Sequence, residues 1–360
     1  MIGMLRLLKR ILAGALLLLI AGIAYKIVIS PQMIVPYPYE IQEIDTENWQ
    51  DVKQAQVLIV GDRMTQTLAH YQKPLKSLSS KGLKEELKIV FWATEKEGIH
   101  RTIEKLRFLA KKKALPKILV YHGASQEFYE KRIQARDLED TLKNFELFEN
   151  DKLSSGLMLF PALSRLVYWP IQRVKLGPSP KKDERVLPAP LKQSEMELIF
   201  KFFEQHIREM VDLAREYDRQ LILTTTPINL KWPPNETCHN AQNPMIQKKL
   251  RRVRALNQDG KSKEAYSLAR DVAKKSLGHA QTHHWWGKTA LQLGRFKEAK
   301  EAFTLGLAYD CSPQRGSPVF NAIIRNHSMV EGVQLVDFDK LVNQHFGRNV
   351  LFLNWLYPQH

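Results

Sequence analysis

The chain has 360 residues, 44% of them hydrophobic and 26% charged, an ordinary globular composition with enough apolar material for one large core or two smaller ones. Its formal charge of +16 favours an acidic partner or an anionic surface. The basic residues are spread along the chain rather than gathered into one arm, and no nucleic-acid module accompanies them, so nucleic acid is excluded from the expected partners.

Residues 11–25, ILAGALLLLIAGIAY, carry no charge, and Lys26 is followed by Ile27, Val28 and Ile29. A helix needs about 20 mostly apolar residues to cross a bilayer, and a lysine near its end can lift its ammonium to the interface. Arg6, Lys9 and Arg10 precede the run, while the first acids, Glu40 and Glu43, come well after it. The positive-inside rule then keeps the N-terminus cytoplasmic and places the bulk of the chain in the periplasm or outside the cell. Residues 1–32 are expected to form a basic tip and a single-pass anchor. A cleaved signal peptide, with Gly22 and Ala24 as the small residues before the cut, is the competing reading.

Residues 57–60, VLIV, read as a buried strand that runs into a turn at Gly61, Asp62 and Arg63, with Thr65 and Thr67 on the first helical turn beyond it. Residues 87–92 form a second strand, followed by Gly98 and a helix through 102–109. Residues 117–121 are a third strand, opening into Gly123, Ala124, Ser125, Gln126, Glu127 and Phe128. Residues 157–170 are apolar and aromatic, and Pro161 and Pro170 limit any helix there to about eight residues. Core packing or a lid facing anionic lipid would both explain that segment. Residues 177–190, rich in proline and charge, read as a surface loop. A long amphipathic helix over 195–217 then enters a strand at 220–226.

Residues 255–265 recur as 289–299, with Gly260 and Gly294, and likewise Ala265 and Ala299, 34 residues apart, the tetratricopeptide period. The glycine turns the chain between two helices, and the small alanine lets the second helix pack closely on the first. Gly287 and Phe303 fit the small and aromatic positions of the second repeat, whereas Val253 and Ala269 fit the first less well. A free-standing stack needs about three repeats, so this pair must lean on something else and offers a surface for a protein partner. His283, His284, Trp285 and Trp286 are expected to be exposed on it, solvated or packed rather than ligating a metal. Cys238 and Cys311 flank the repeats and are either a disulfide or two separate buried thiols.

Residues 320–324 start a further helix, 333–337 are a short strand, and 350–353 the last. Strands separated by helical patterns imply βαβ units. The expected fold is therefore α/β, a three-layer parallel sheet flanked by helices, built from residues 50–240 and 313–360 around an all-α insertion at 241–312.

The residues at the strand ends carry a resemblance. Gly61, Asp62, Arg63 and Thr65 resemble the first block of the SGNH (GDSL-type) hydrolases, Gly-Asp-Ser-x-Thr, with Arg63 in place of the serine. Gly98 matches the glycine of the second block. The third block normally supplies an asparagine to the oxyanion; Ser125 or Gln126 stands there instead. The last block, Asp-x-x-His-Pro, reads here Asn354, Trp355, Leu356, Tyr357, Pro358. The resemblance implies a flavodoxin-like parallel sheet, and it implies that Arg63, Asn354 and Tyr357 occupy the triad positions. A guanidinium is permanently charged and has no lone pair to attack with, and neither Asn354 nor Tyr357 can replace a carboxylate or an imidazole.

The expected function is accordingly a non-catalytic binding or scaffold protein of the cell envelope. The alternative is an esterase or acyltransferase on an envelope glycan or lipid that uses displaced residues: Thr65 or Thr67 with His360, or His122 with Asp62. His70 and His100 read as surface residues, and neither a metal nor a cofactor is expected. The altered cleft is read in two ways. In one, Arg63 anchors an anionic glycan or lipid at a helix start, in a pocket with Asp62, Gly98, Ser125, Gln126, Asn354 and Tyr357. In the other, Arg63 pairs with Asp62 or Glu127 and plugs the cleft.

Overall fold

In the computed structural model of the chain the described residues are 14, 16–21, 49–70, 77, 87–94, 97–129, 190–235, 243–311 and 316–344. The chain divides into two units, one of Met1–Gln42 with Ile133–Leu176, the other of Glu43–Arg132 with Gly177–His360. In the first, residues 14 and 16–21 are helical, and Leu16, Leu17, Leu18, Leu19 and Ile20 are all exposed. Among the described residues no helix is long and apolar enough to cross a membrane. The remainder of the expected span, the segment at 157–170 and the closing block with Asn354 and Tyr357 lie outside the described residues.

Among its described residues the second unit holds a five-stranded parallel sheet flanked by helices. Its strands are β1 (Val57–Gly61), β2 (Ile89–Ala93), β3 (Ile118–His122), β4 (Gln220–Thr224) and β5 (Val333–Val336), in the spatial order 2-1-3-4-5. Parallel strands are buried on both faces and so read as unbroken apolar runs, as VLIVG of β1 does. Successive side chains nonetheless serve different cores. Leu58, Val60, Leu119, Tyr121, Leu221 and Leu223 join the main cluster with helices α3 (Ile99–Lys111), α4 (Gln193–Glu216) and α9 (Pro318–His327). Val57, Ile59 and Ile89 form a smaller cluster with Phe91, Ile118 and Val120. Helix α3 reaches the main core through Ile99, Ile103, Leu106 and Ala110, and α4 through Phe203, Ile207, Met210 and Ala214, the three-to-four spacing that lines one helical face.

Two short helices, α1 (Trp49–Lys53) and α2 (Arg63–Ala69), bracket β1. The close of β1 depends on Gly61. Its φ is +143°, and a Cβ there would lie 2.1 Å from the carbonyl oxygen of His122 on the neighbouring strand. No other residue combines that dihedral with that approach.

Between β4 and α9 the chain forms two helical hairpins, α5 (Pro244–Gln258) with α6 (Ser262–Lys275) and α7 (Ala280–Gln292) with α8 (Phe296–Ala308). Gly260 and Gly294 turn the two hairpins with nearly equal φ, +75° and +71°, and the equivalent Ala265 and Ala299 are fully buried. Gly287 lies flat against the Phe303 ring. The hairpins do lean on the sheet's connections: Ile228 and Leu230, just after β4, pack with Tyr266, Ala290, Ala299, Phe303 and Leu307. Cys311 takes part in a disulfide, and Cys238, the chain's one other cysteine, lies outside the described residues.

One surface expectation is corrected here. His283 is buried, its Nε2–H donating to the Leu277 carbonyl oxygen at 2.7 Å and its ring stacked on Tyr309 at 5.7 Å. His284, half-buried, tilts onto Phe303 at 5.2 Å. Helix α7 packs on both α6 and α8, so two of its faces are covered, not one.

Replacing Gly61 by alanine forces the methyl group into the His122 carbonyl; the Gly61→Ala variant is expected to lose about 3 kcal/mol or more in urea denaturation.

Candidate functional site

In the strand order 2-1-3-4-5 the chain reverses direction across the sheet between β1 and β3, and the carboxyl ends of these two strands flank the crevice where open α/β sheets place ligands. The residues singled out at the turn after β1 and in the loop after β3 meet there. Asp62 caps α2, its Oδ1 accepting from the Met64 N–H at 2.8 Å. Its Oδ2 accepts from the Ser125 N–H at 2.6 Å and from the Ser125 hydroxyl at 2.7 Å. Gln126 Nε2 completes the row, donating to Ser125 Oγ at 3.4 Å. Asp62 is 1% exposed, and burial raises its pKa from 3.8 to about 6, against the pull of the N–H and O–H groups of Met64 and Ser125.

The loop that brings Ser125 to Asp62 is held from β4. Ala124 has φ +74°, a left-handed conformation uncommon outside glycine and asparagine. The Thr226 hydroxyl donates to the Gly123 carbonyl, while Asn321 of α9 accepts from the Thr226 N–H at 2.9 Å and donates to the Thr226 carbonyl at 2.8 Å. Glu127, next along the loop, accepts from the Ile99 N–H with both oxygens at 3.1 Å, capping α3 where Gly98 has no side chain to do so. Gly98 and Ser125 thus belong to one connected cluster.

Arg63 is different. It is the first residue of α2 and is exposed, whereas the Asp62 carboxylate is committed to Met64 and Ser125 and not to the guanidinium. The Met64 N–H, in the first turn of α2, donates to Asp62 Oδ1. Asn354 and Tyr357 lie outside the described residues.

The displaced hydroxyls are also committed. Thr65 Oγ1 donates to the carbonyl of His122, with Val60 O at 3.3 Å, and Thr67 Oγ1 donates to the Arg63 carbonyl at 3.1 Å. His122 does not face Asp62. Its Nδ1 lies 2.6 Å from Thr224 Oγ1, which itself donates to the Tyr121 carbonyl at 3.1 Å. A hydroxyl has one proton to give, so the His122 Nδ1 carries the hydrogen of that bond. Burial lowers the His122 pKa from 6.5 to about 4, and Phe338 closes on the ring edge at 5.5 Å. The ring is neutral and structural at neutral pH.

Two buried polar groups have little signal in the sequence. Glu97 and Lys105 form an ion pair at 2.7 Å, both almost without exposure; Glu97 also accepts from the Thr94 N–H and the Thr102 hydroxyl, and Lys105 lies over Trp92. His100, expected at the surface, is fully buried, its Nδ1 3.0 Å from His206 Nε2, and His206 Nδ1 is 3.0 Å from Glu209 Oε2. Arg107 bonds Glu104 and Glu209 alongside. Burial, and then the Arg107 charge, hold the His206 pKa well below the usual histidine range. The correction has a simple cause: α3 packs on α4 as well as on the sheet, so the face carrying His100 is covered. Only the three-residue spacing of His206 and Glu209 on α4 hinted at this chain.

Among the described residues no three His, Cys, Asp or Glu side chains are placed to hold a metal ion. A cleft of about 520 Å³ opens between the start of α4 and helices α7 and α8, lined by Leu191, Met196, Phe200, Leu305, Tyr309 and others; none of its lining residues is among those expected at the site. No protein-family model, curated protein or solved structure matches this chain.

Replacing Asp62 by alanine leaves the Met64 and Ser125 N–H groups and the Ser125 hydroxyl without their acceptor. The Asp62→Ala variant is expected to lose about 3 kcal/mol or more in urea denaturation.

His122 gives a pH signature. Its folded-state pKa lies below the free value, so its contribution is present above pH 6.5 and is withdrawn as pH falls toward about 4. The stability advantage of the wild type over His122→Asn should shrink by about 3 kcal/mol across that window, followed by urea titrations at a series of pH values. Asp62 has the opposite sign, subtracting stability as pH rises from 3.8 to about 6, and is common to both proteins.

Proposed function

We propose that this chain is a membrane-anchored, extracytoplasmic binding or scaffold protein of the cell envelope, with an SGNH-like α/β domain that does not hydrolyse esters. One observation carries the reading: at the turn where the resemblance calls for a nucleophile, the carboxylate, hydroxyls and imidazole singled out among the described residues each close a hydrogen bond within the fold. Asp62 clasps Met64 and Ser125, Thr65 and Thr67 bond backbone carbonyls, and His122 is bonded to Thr224. Nucleophilic catalysis needs a hydroxyl paired with a base, and that base in turn oriented by a third group. The helical hairpins α5 to α8, with the period of tetratricopeptide repeats, offer the protein-binding surface in this reading. Arg63, exposed beside the crevice, offers a planar cation to an anionic glycan or lipid. The uncharged run at 11–25 supplies the anchor, and the disulfide at Cys311 accords with an oxidising compartment.

A second reading has one specific observation in its favour. The Ser125 hydroxyl lies 2.7 Å from a carboxylate whose pKa is raised to about 6, so a serine and a potential base titrating near neutrality do adjoin. A fluorophosphonate probe followed by peptide mass spectrometry separates the two. The binding-protein reading expects no adduct at Ser125 and no turnover of an aryl acetate above the buffer rate. An adduct at Ser125 that disappears in Ser125→Ala would replace it with the hydrolase.

A further inference from the structure

Helix α5 reads PMIQKKLRRVRALNQ and contains no acidic residue. Leu250 and Val253 are its buried positions, turned onto the neighbouring helices. Lys248, Arg251 and Arg252 are exposed on the opposite side, Lys249 is half-buried at the edge, and Arg254 lies over Trp285, as does Lys288 of α7. The next helix adds to the excess: residues 244–275 hold ten basic side chains against three acidic ones. Of those acids, Asp271, which feels the Lys249 charge, is itself bonded to Lys275 at 2.8 Å. Among the described residues no carboxylate is paired with Lys248, Lys249, Arg251 or Arg252.

An apolar side chain is set into this basic face. Met245 is 68% exposed and, at spacings of three and seven residues, lies on one line with Lys248 and Arg252. A soluble polyanion has no use for a methionine among cations. A bilayer does, because the thioether can enter the acyl boundary while the long basic side chains reach headgroup phosphates.

We infer that the exposed face of α5, Met245 with Lys248, Lys249, Arg251 and Arg252, docks the domain on a bilayer surface bearing anionic phospholipid. This rests on the membrane-anchored reading above, since a tether keeps the local lipid concentration high. Each basic residue at such a surface contributes about fivefold to partitioning, and the contribution falls as salt shortens the screening length. The four cations are sufficient to hold an already tethered domain and insufficient to anchor one alone.

The test uses the full chain reconstituted into vesicles of phosphatidylcholine, with or without phosphatidylglycerol. A water-soluble amine-acylating reagent and peptide mass spectrometry read Lys248 and Lys249, with Lys201, exposed on α4, as the internal reference. In phosphatidylglycerol vesicles at low salt, acylation of the two lysines is expected to fall about tenfold relative to neutral vesicles and to recover at high salt. In Arg251→Glu/Arg252→Glu, which alters exposed positions only, the protection is expected to vanish. Equal labelling in both vesicle types overturns the proposal, and so does protection by soluble polyphosphate that matches or exceeds that of the anionic vesicles. Alkaline carbonate extraction separates this outcome from the parent reading. A chain that is extracted refutes the anchor, whereas one that stays in the vesicles with unchanged labelling refutes only the role of α5.

Discussion

The buried carboxylate of Asp62 is the constraint on which the centre of this molecule depends. It ties the turn after β1 to the loop after β3, residues separated by 63 positions in the chain, with two backbone N–H groups and one hydroxyl. Both desolvation and hydrogen bonding act on it, and desolvation prevails, since its pKa rises to about 6. The clasp is possible because β1 and β3 come together at Gly61, where only a hydrogen in place of a side chain admits the His122 carbonyl. The rest of the cluster secures the same strand ends: Thr65 and Thr226 satisfy the carbonyls of His122 and Gly123, and Asn321 grips Thr226 from α9. Buried backbone groups must find partners, and here short polar side chains supply them.

That arrangement makes the crevice out of groups that also hold the strand ends together. Thr65 and His122 each close a hydrogen bond between the elements around them, to the His122 carbonyl and to Thr224. Arg63, by contrast, is exposed at the start of α2.

Much of the fold was legible in the chain. VLIV at 57–60 reads as β1, the apolar spacing of 195–217 reads as α4, and the 34-residue recurrence of Gly260 and Gly294 reads as two hairpins, all of which the structure contains. The candidate site was legible only as an inventory. Asp62, Ser125, Gln126 and Gly98 do gather, but nothing in their spacing said that Asp62 would bond Ser125 or that Glu127 would cap α3. His100 and His283 were misplaced for a common reason: each lies on a helix covered on more than one face, and a single-face periodicity cannot register the second neighbour. The basic run of α5, five cations within residues 248–254, is present in the letters, but which of them the fold leaves exposed is not.

The sequence by itself determined what depends on neighbours along the chain: strand and helix positions from apolar periodicity, the hairpin turns from glycine, and the uncharged run before residue 26. Those are short-range preferences of backbone and solvent, and they are read residue by residue. Only the tertiary structure decided which polar groups meet, because Asp62 with Ser125, His100 with His206 and Thr226 with Asn321 are brought together by strand order and helix packing. Hydrogen bonds and ion pairs act over a few ångströms, and no periodicity in the chain encodes that distance between residues a hundred positions apart.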